Sequence, residues 1–152
     1  MSQSVRCDFC AHRCTIAPGK TGICGVRYNR DGELVTLSYG DVVAMHSDPI
    51  EKKPLYHFLP GRPVFSLALF GCNFRCPFCQ NAEIAFPEYR TRVNGRHIEP
   101  DVMFQKWKDS GDSGIAFTYS EPTVWQDYIV DVANLVKQAG GWTVMVTNGF
   151  LT

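Results

Sequence analysis

The residues of this chain that are best suited to chemistry are its cysteines. There are seven, an odd count that a disulfide framework would not normally use. They fall into two groups, with Cys7, Cys10, Cys14 and Cys24 near the start and Cys72, Cys76 and Cys79 in the middle. The central segment Cys72-Asn73-Phe74-Arg75-Cys76-Pro77-Phe78-Cys79 spaces its thiols by three and then two residues, close enough for all three to wrap one iron–sulfur cubane. Three thiolates serve three irons and leave the fourth with an open position where a substrate can coordinate. The alternative is a structural zinc knot completed by His57 or His97. The four early cysteines instead fill a closed metal site. Zinc and an iron–sulfur centre both suit four thiolates, and His12 is a further candidate ligand. Such a site has no vacancy and reads as structural.

The central loop needs a support. Gly71 allows a sharp turn into it, and Pro77 stiffens it. Three short apolar runs, Val64 to Phe70, Ile115 to Tyr119 and Trp142 to Thr147, have strand length. Between the last two, Trp125, Tyr128, Ile129, Val132, Leu135, Val136 and Ala139 form one helical stripe that starts near Pro122 and stops at Gly140-Gly141. A second helix runs from about Pro100 to Asp109. Alternating strands and helices imply an α/β fold with parallel strands, because parallel neighbours need a crossover. Ligands in such folds bind at the carboxyl ends of the strands. Those ends carry Gly71-Cys72-Asn73, Ser120-Glu121-Pro122 and Asn148-Gly149.

A change of character at Leu59 to Pro63 suggests a boundary, with a Cys-rich module over 1–60 and βα units over 61–152. Within the first part, Arg30-Asp31-Gly32 predicts a tight hairpin turn between Gly25–Asn29 and Glu33–Leu37. The charged, proline-containing segment Asp48 to His57 reads as a loop. Arg90, Arg92 and Arg96 read as a solvated basic loop.

Fifteen basic and fifteen acidic side chains cancel, so no long-range field draws the chain to nucleic acid or to an anionic membrane. No apolar run approaches the roughly 18 residues of a membrane span, and Met1 to Cys10 lacks a signal-like stretch. The chain reads as cytoplasmic.

The Cys-x3-Cys-x2-Cys loop, with aromatic Phe78 before its last cysteine, resembles the signature of the radical S-adenosylmethionine (SAM) enzymes. Asp48-Pro49-Ile50-Glu51-Lys52-Lys53-Pro54-Leu55-Tyr56-His57-Phe58, Cys79-Gln80-Asn81 and Thr118-Tyr119-Ser120-Glu121-Pro122-Thr123 sharpen this. Together they resemble the radical enzyme of the AmmeMemoRadiSam system, a family similar to pyruvate formate-lyase activating enzymes. The resemblance implies an oxidoreductase with a 4Fe–4S cluster on Cys72, Cys76 and Cys79. Its open iron would chelate the methionine moiety of SAM, and one electron from a donor such as flavodoxin or ferredoxin would release a 5′-deoxyadenosyl radical. It also implies that Glu121 lies near the methionine amino group, Asn148 near the ribose, and Phe78 against the adenine. Each position has a plainer reading: Glu121 as a helix-end carboxylate, Asn148 as a turn residue, and Phe78 as core. Asn73 and Asn81 read equally as local loop or cap residues. Relatives in the wider superfamily place Gly-Gly-Glu where this chain has Tyr119-Ser120-Glu121.

The enzymes resembled have a partial barrel of about six βα units, whereas three strands are legible here. The expectation is therefore a half barrel behind a small, strand-rich, four-cysteine module, from a fragment, a truncated product or part of a split enzyme, inactive alone. The strand from Val64 would have an open edge unless the first part of the chain covers it. Other readings are a glycyl-radical-enzyme activase, a modifier working with AmmeMemo partner proteins, a ferredoxin-like electron carrier, or a non-catalytic iron–sulfur- or zinc-binding fragment.

Overall fold

A computed structural model describes residues 3–152; the first two residues of the expected 1–60 module lie outside it. The module begins with two short strands, β1 (Val5–Arg6) and β2 (Thr15–Ile16), paired antiparallel. Asp31 and Gly32 then take φ of 51° and 99°, the positive angles that a two-residue hairpin turn requires. They join β3 (Arg27–Arg30) to β4 (Glu33–Thr36) in the expected hairpin.

A single five-stranded sheet carries the rest. Its members are β5 (Asp41–Pro49), β6 (Pro63–Leu69), β7 (Arg96–His97), β8 (Gly114–Phe117) and β9 (Trp142–Met145), in the spatial order β7-β5-β6-β8-β9. β6, β8 and β9 are mutually parallel, as the alternation predicts. The helices are α1 (Ala82–Ala85), α2 (Pro100–Ser110) and α3 (Gln126–Gln138). The last two are the crossovers between the parallel strands. Pro122–Trp125 forms a 3-10 turn ahead of α3, so the helix proper starts later than Pro122 suggests.

The sequence does not announce β5. It runs antiparallel to β6 from Val42 opposite Leu69 to Pro49 opposite Pro63, and so covers the edge of β6. The sheet is therefore mixed rather than wholly parallel, and the position taken as a domain boundary falls in the connection between two strands of one sheet. Asp48 and Pro49, expected in a loop, end this strand. Arg90, expected in solvent, pairs with Asp41 and lies over the Phe70 ring at 4.9 Å.

β6 is buried on both faces, as its unbroken apolar run requires. Phe65, Leu67 and Leu69 join Met103, Trp107, Tyr128, Val132 and Val136 in the main core, where burying one Leu-sized side chain is worth about 2 kcal/mol. On the opposite face Val64 meets Ile50 and Ala116. Along β6 and β8 that face carries only Val64, Ser66, Ala68, Gly114 and Ala116 between the large core side chains. At the other side β9 is the last strand, and its side chains are half-buried or exposed.

Candidate functional site

β6 leads straight into the cysteine loop through Gly71, whose φ of 117° belongs to glycine. A Cβ there would stand 2.8 Å from Val26 Cγ1 and 3.3 Å from the Cys24 carbonyl oxygen. The loop is thus pressed against the amino-terminal module at its first residue. Gly71 is pinned on both sides, its N–H donating to the Ile84 carbonyl at 3.0 Å and its carbonyl accepting from the Glu121 N–H at 3.1 Å. Arg75 ties the loop further, donating to the carbonyls of Cys72 at 3.0 Å and Ile23 at 2.5 Å.

Cys72, Cys76 and Cys79 are half-buried free thiols. The Phe74 N–H donates to Cys72 Sγ at 3.3 Å. Burial pushes the Cys72 thiol up; the Phe74 N–H opposes this, Glu121 and Cys79 reinforce it, and Arg75 opposes it. Iron binding would displace that thiol proton. Among the described residues no three Cys, His, Asp or Glu side chains stand together as ligands for one ion. His97 instead contacts Glu99 at 2.8 Å, which gives the zinc-knot reading no support. A cubane suits the loop better, because its cysteines bind different irons and need not converge on one point. The donor set fits in a second respect: Asn73 Nδ2 is buried with no partner, an amide donor available to a sulfide or to a bound ligand.

Three strand ends meet at this loop. Asn148 Nδ2 donates to Asn73 Oδ1 at 2.8 Å, and its backbone N–H donates to Glu121 Oε2 at 2.9 Å. Glu121, 3% exposed, also accepts on Oε1 from the Thr123 N–H at 3.0 Å, Thr123 Oγ1 at 2.5 Å and Thr147 Oγ1 at 2.6 Å. Both its oxygens are committed inside the protein. Glu121 therefore caps the turn before α3, as its plainer reading holds, and also fastens the end of β9. Asn148 likewise links the cysteine loop to Glu121. Phe78 is 82% exposed, so it is not core.

Beside Gln80 and Asn81 an open cavity of about 370 Å³ lies between the two sequences Lys52-Lys53 and Tyr119-Ser120, with Val146 on its wall. Its charged side is a network that sequence reasoning left without a role. Asp48, on β5, accepts from Lys52 at 2.8 Å, from Lys53 at 2.7 Å and from the Tyr119 hydroxyl. Burial alone would raise the Asp48 carboxyl, but Lys52, Lys53 and Tyr119 together hold it well below the usual carboxylate range. Burial, then Asp48, pushes the Tyr119 hydroxyl far up. Tyr119 takes φ of 67°, uncommon and strained for a bulky residue. The signal available in the sequence was an unusual pairing of Asp48 with adjacent lysines.

At the other side of the cysteine loop, Cys7, Cys10 and Cys24 are buried and Cys14 is half-buried. Burial pushes the Cys7 and Cys24 thiols up, with backbone N–H groups and Arg27 opposing it and neighbouring thiols adding to it. His12 does not join the thiols; its Nε2 contacts the Asn73 carbonyl at 2.9 Å. Arg27, which nothing in the sequence singles out, is 3% exposed.

Residues 68–152, more than half of the chain, match the Radical SAM superfamily. An uncharacterized protein of Methanocaldococcus jannaschii is 40% identical over 97% of this chain and 44% of its own length. A second protein of that organism, provisionally named a glycyl-radical enzyme activating enzyme, is 30% identical over 53% of this chain and 31% of its own. The pyruvate formate-lyase-activating enzyme of Clostridium pasteurianum is 23% identical over 53% of this chain and 34% of its own. The chain spans less than half the length of each of these relatives. A loop of three thiols at a parallel strand end, inside the matched region, agrees with that match: the chain belongs to the Radical SAM superfamily, whose members use a 4Fe–4S cluster and SAM.

Proposed function

We propose that Cys72, Cys76 and Cys79 hold a 4Fe–4S cluster with one open iron, and that the protein uses it to cleave SAM and generate a radical that modifies or activates a partner. The observation that carries this is the placement of three half-exposed thiols on one loop, after β6 and next to a polar cavity of about 370 Å³. When bound, the cluster supplies the electron that breaks the carbon–sulfur bond. The chain's own part is to hold and enclose. The Asn73 amide offers a donor toward the loop, and exposed Phe78 offers a face for the adenine. Asn148 and Glu121 fix the relative positions of the strand ends, and Lys52 places a positive charge at the cavity.

In this reading residues 61–152 supply the first three βα units of a radical SAM barrel. Residues 1–60 supply a Cys-rich part, which lends β5 to the same sheet; its four cysteines, which do not stand together around one point, hold a second metal, zinc or iron–sulfur, once they close around it. The segment Asp48 to Phe58 supports kinship with the AmmeMemoRadiSam enzymes, acting in the cytoplasm with an electron donor such as flavodoxin or ferredoxin. The names of two relatives favour a second reading, activation of a glycyl-radical enzyme.

The test is anaerobic reconstitution with iron and sulfide, with iron and acid-labile sulfide measured and SAM added to the reduced protein. A change in the electron paramagnetic resonance spectrum on adding SAM, lost in Cys76→Ala, is expected. A spectrum indifferent to SAM would mark an electron carrier instead. Zinc without sulfide on the central cysteines would mark a structural module.

A further inference from the structure

The second face of the sheet is built from small side chains, which leaves space over it. Alternate residues of a strand share a face, so Ala44, His46 and Asp48 of β5 stand together, with Ala44 opposite Ala68 and His46 opposite Ser66 of β6. A second cavity, of about 170 Å³, opens there against Ala44, His46 and Ile84. It meets the first, of about 370 Å³, at Lys52, Asn81 and Tyr119, which line both. Gln80, the residue after Cys79, lines only the first.

The charges at this junction do not cancel. Asp48 holds two ammonium groups, Lys52 at 2.8 Å and Lys53 at 2.7 Å, and neither cavity is lined by an Asp or a Glu. One positive charge is left over. Lys53 is enclosed, whereas the Lys52 side chain is 57% exposed and its ammonium has donors beyond the one that Asp48 Oδ1 accepts. A cleft lined by one sign of charge attracts the other, and a lysine held in place serves as a point charge for an oxyanion. Tyr119, at the same junction, keeps its φ of 67° with its hydroxyl bound to Asp48; such strain persists where the surroundings over-determine it, as at ligand sites.

We propose that the second cavity receives the molecule that the radical attacks, and that Lys52 binds an oxyanion of that molecule, a carboxylate or a phosphate, while the first cavity is left to SAM. Asp48 is the positioning residue, because it fixes the Lys52 ammonium where the cavities join. His46 supplies a second polar group on the wall of the same cavity. This deepens the radical reading given above and rests on it.

The experiment titrates inorganic phosphate and acetate, separately, into the 152-residue chain as purified anaerobically. NMR follows the backbone amides of His46, Lys53, Asn81 and Tyr119. Saturable shifts with at least one of the two anions are expected, and the tighter of them identifies the oxyanion. Lys52→Met should weaken that binding about tenfold or more, the loss of one charge-assisted bond, and Lys52→Arg should retain it. Circular dichroism checks the fold of each variant. The spectral change that SAM causes in the cluster-loaded protein is then compared between parent and Lys52→Met, and both should show it. Its loss in folded Lys52→Met would assign Lys52 to SAM and overturn the substrate site. Saturable binding of neither anion to the parent, or equal binding by Lys52→Met, would overturn the oxyanion site and leave the radical reading intact. A parent spectrum indifferent to SAM would overturn the radical reading, and with it the assignment to a radical's substrate, even where an anion binds.

Discussion

Glu121 Oε2 accepts the backbone N–H of Asn148 at 2.9 Å, so one carboxylate at the end of β8 holds the end of β9. Its other oxygen is shared by Thr123 and Thr147. Glu121→Ala strands two backbone N–H groups and should destabilise the chain by about 3 kcal/mol. Glu121→Gln keeps one acceptor and should cost about 1 kcal/mol. Urea unfolding with an unchanged slope measures both. Because the carboxylate is turned inward, folded Glu121→Gln should keep SAM affinity close to that of the parent. A large affinity loss with little change in stability would make Glu121 a direct ligand contact instead.

Asp48 and Lys53 form the most enclosed ion pair of the site, their side chains 8% and 1% exposed. Removing Asp48 leaves Lys53 buried and unpaired, so Asp48→Asn should cost about 3–5 kcal/mol. Lys53→Met should cost less, since Asp48 retains Lys52 and Tyr119. Lys52, with a 57% exposed side chain, should be nearly neutral on replacement. The pH dependence follows from the direction of the Asp48 shift. Its folded carboxyl titrates below the unfolded one, so the stabilisation is complete above the ordinary carboxylate range. It is lost as pH falls through that range toward the depressed value. Acid titration of the melting temperature should show this slope in the parent and a shallower one in Asp48→Asn; identical slopes would remove Asp48 from the account.

The three parallel strands, the hairpin at Asp31-Gly32 and both crossover helices were legible because each rests on local pattern: unbroken apolar runs, a helical stripe, a turn dipeptide. β5 was not, for a physical reason. Its sequence, Asp41 to Pro49, mixes Val42 with His46, Ser47 and Asp48, and the burial of Asp48 depends on lysines and a tyrosine that only tertiary structure brings to it. The cysteine loop was legible from spacing alone. What spacing does not reveal is where a side chain turns, and Glu121, drawn inward by Thr123, Thr147 and Asn148, looks in sequence like a carboxylate free for a ligand. Arg27 was invisible for the same reason, since a charged residue in a short hairpin strand is ordinarily solvated.

Phe78 offers a separation of binding from stability. At 82% exposure its ring contributes little to folding, and Phe78→Ala should change stability by no more than about 0.5 kcal/mol. If the ring stacks on the adenine, the same change should weaken SAM binding to the cluster-loaded protein by about 1–3 kcal/mol, the range for a base on an aromatic ring. Calorimetric titration against thermal unfolding distinguishes the two. Unchanged affinity would leave Phe78 a solvent-facing residue without a part in the site.

Gly71 tests whether the amino-terminal module and the cysteine loop are one mechanical unit. Gly71→Ala imposes a φ of 117° on a residue with a Cβ and drives that atom to 2.8 Å from Val26 Cγ1 and 3.3 Å from the Cys24 carbonyl oxygen. Backbone strain alone is worth about 1–3 kcal/mol, and the contact adds to it because Val26 is fully buried and has nowhere to move. Relief requires the loop or the module to shift. Urea unfolding should show a loss of at least about 2 kcal/mol, and anaerobic reconstitution should give a lower cluster yield even where the variant is folded. Val26→Ala shortens the residue that the new Cβ strikes, so the double variant should recover part of the yield although Val26→Ala alone destabilises. Failure of that rescue, with the single Gly71→Ala loss intact, would assign the effect to backbone strain alone and separate the module from the loop.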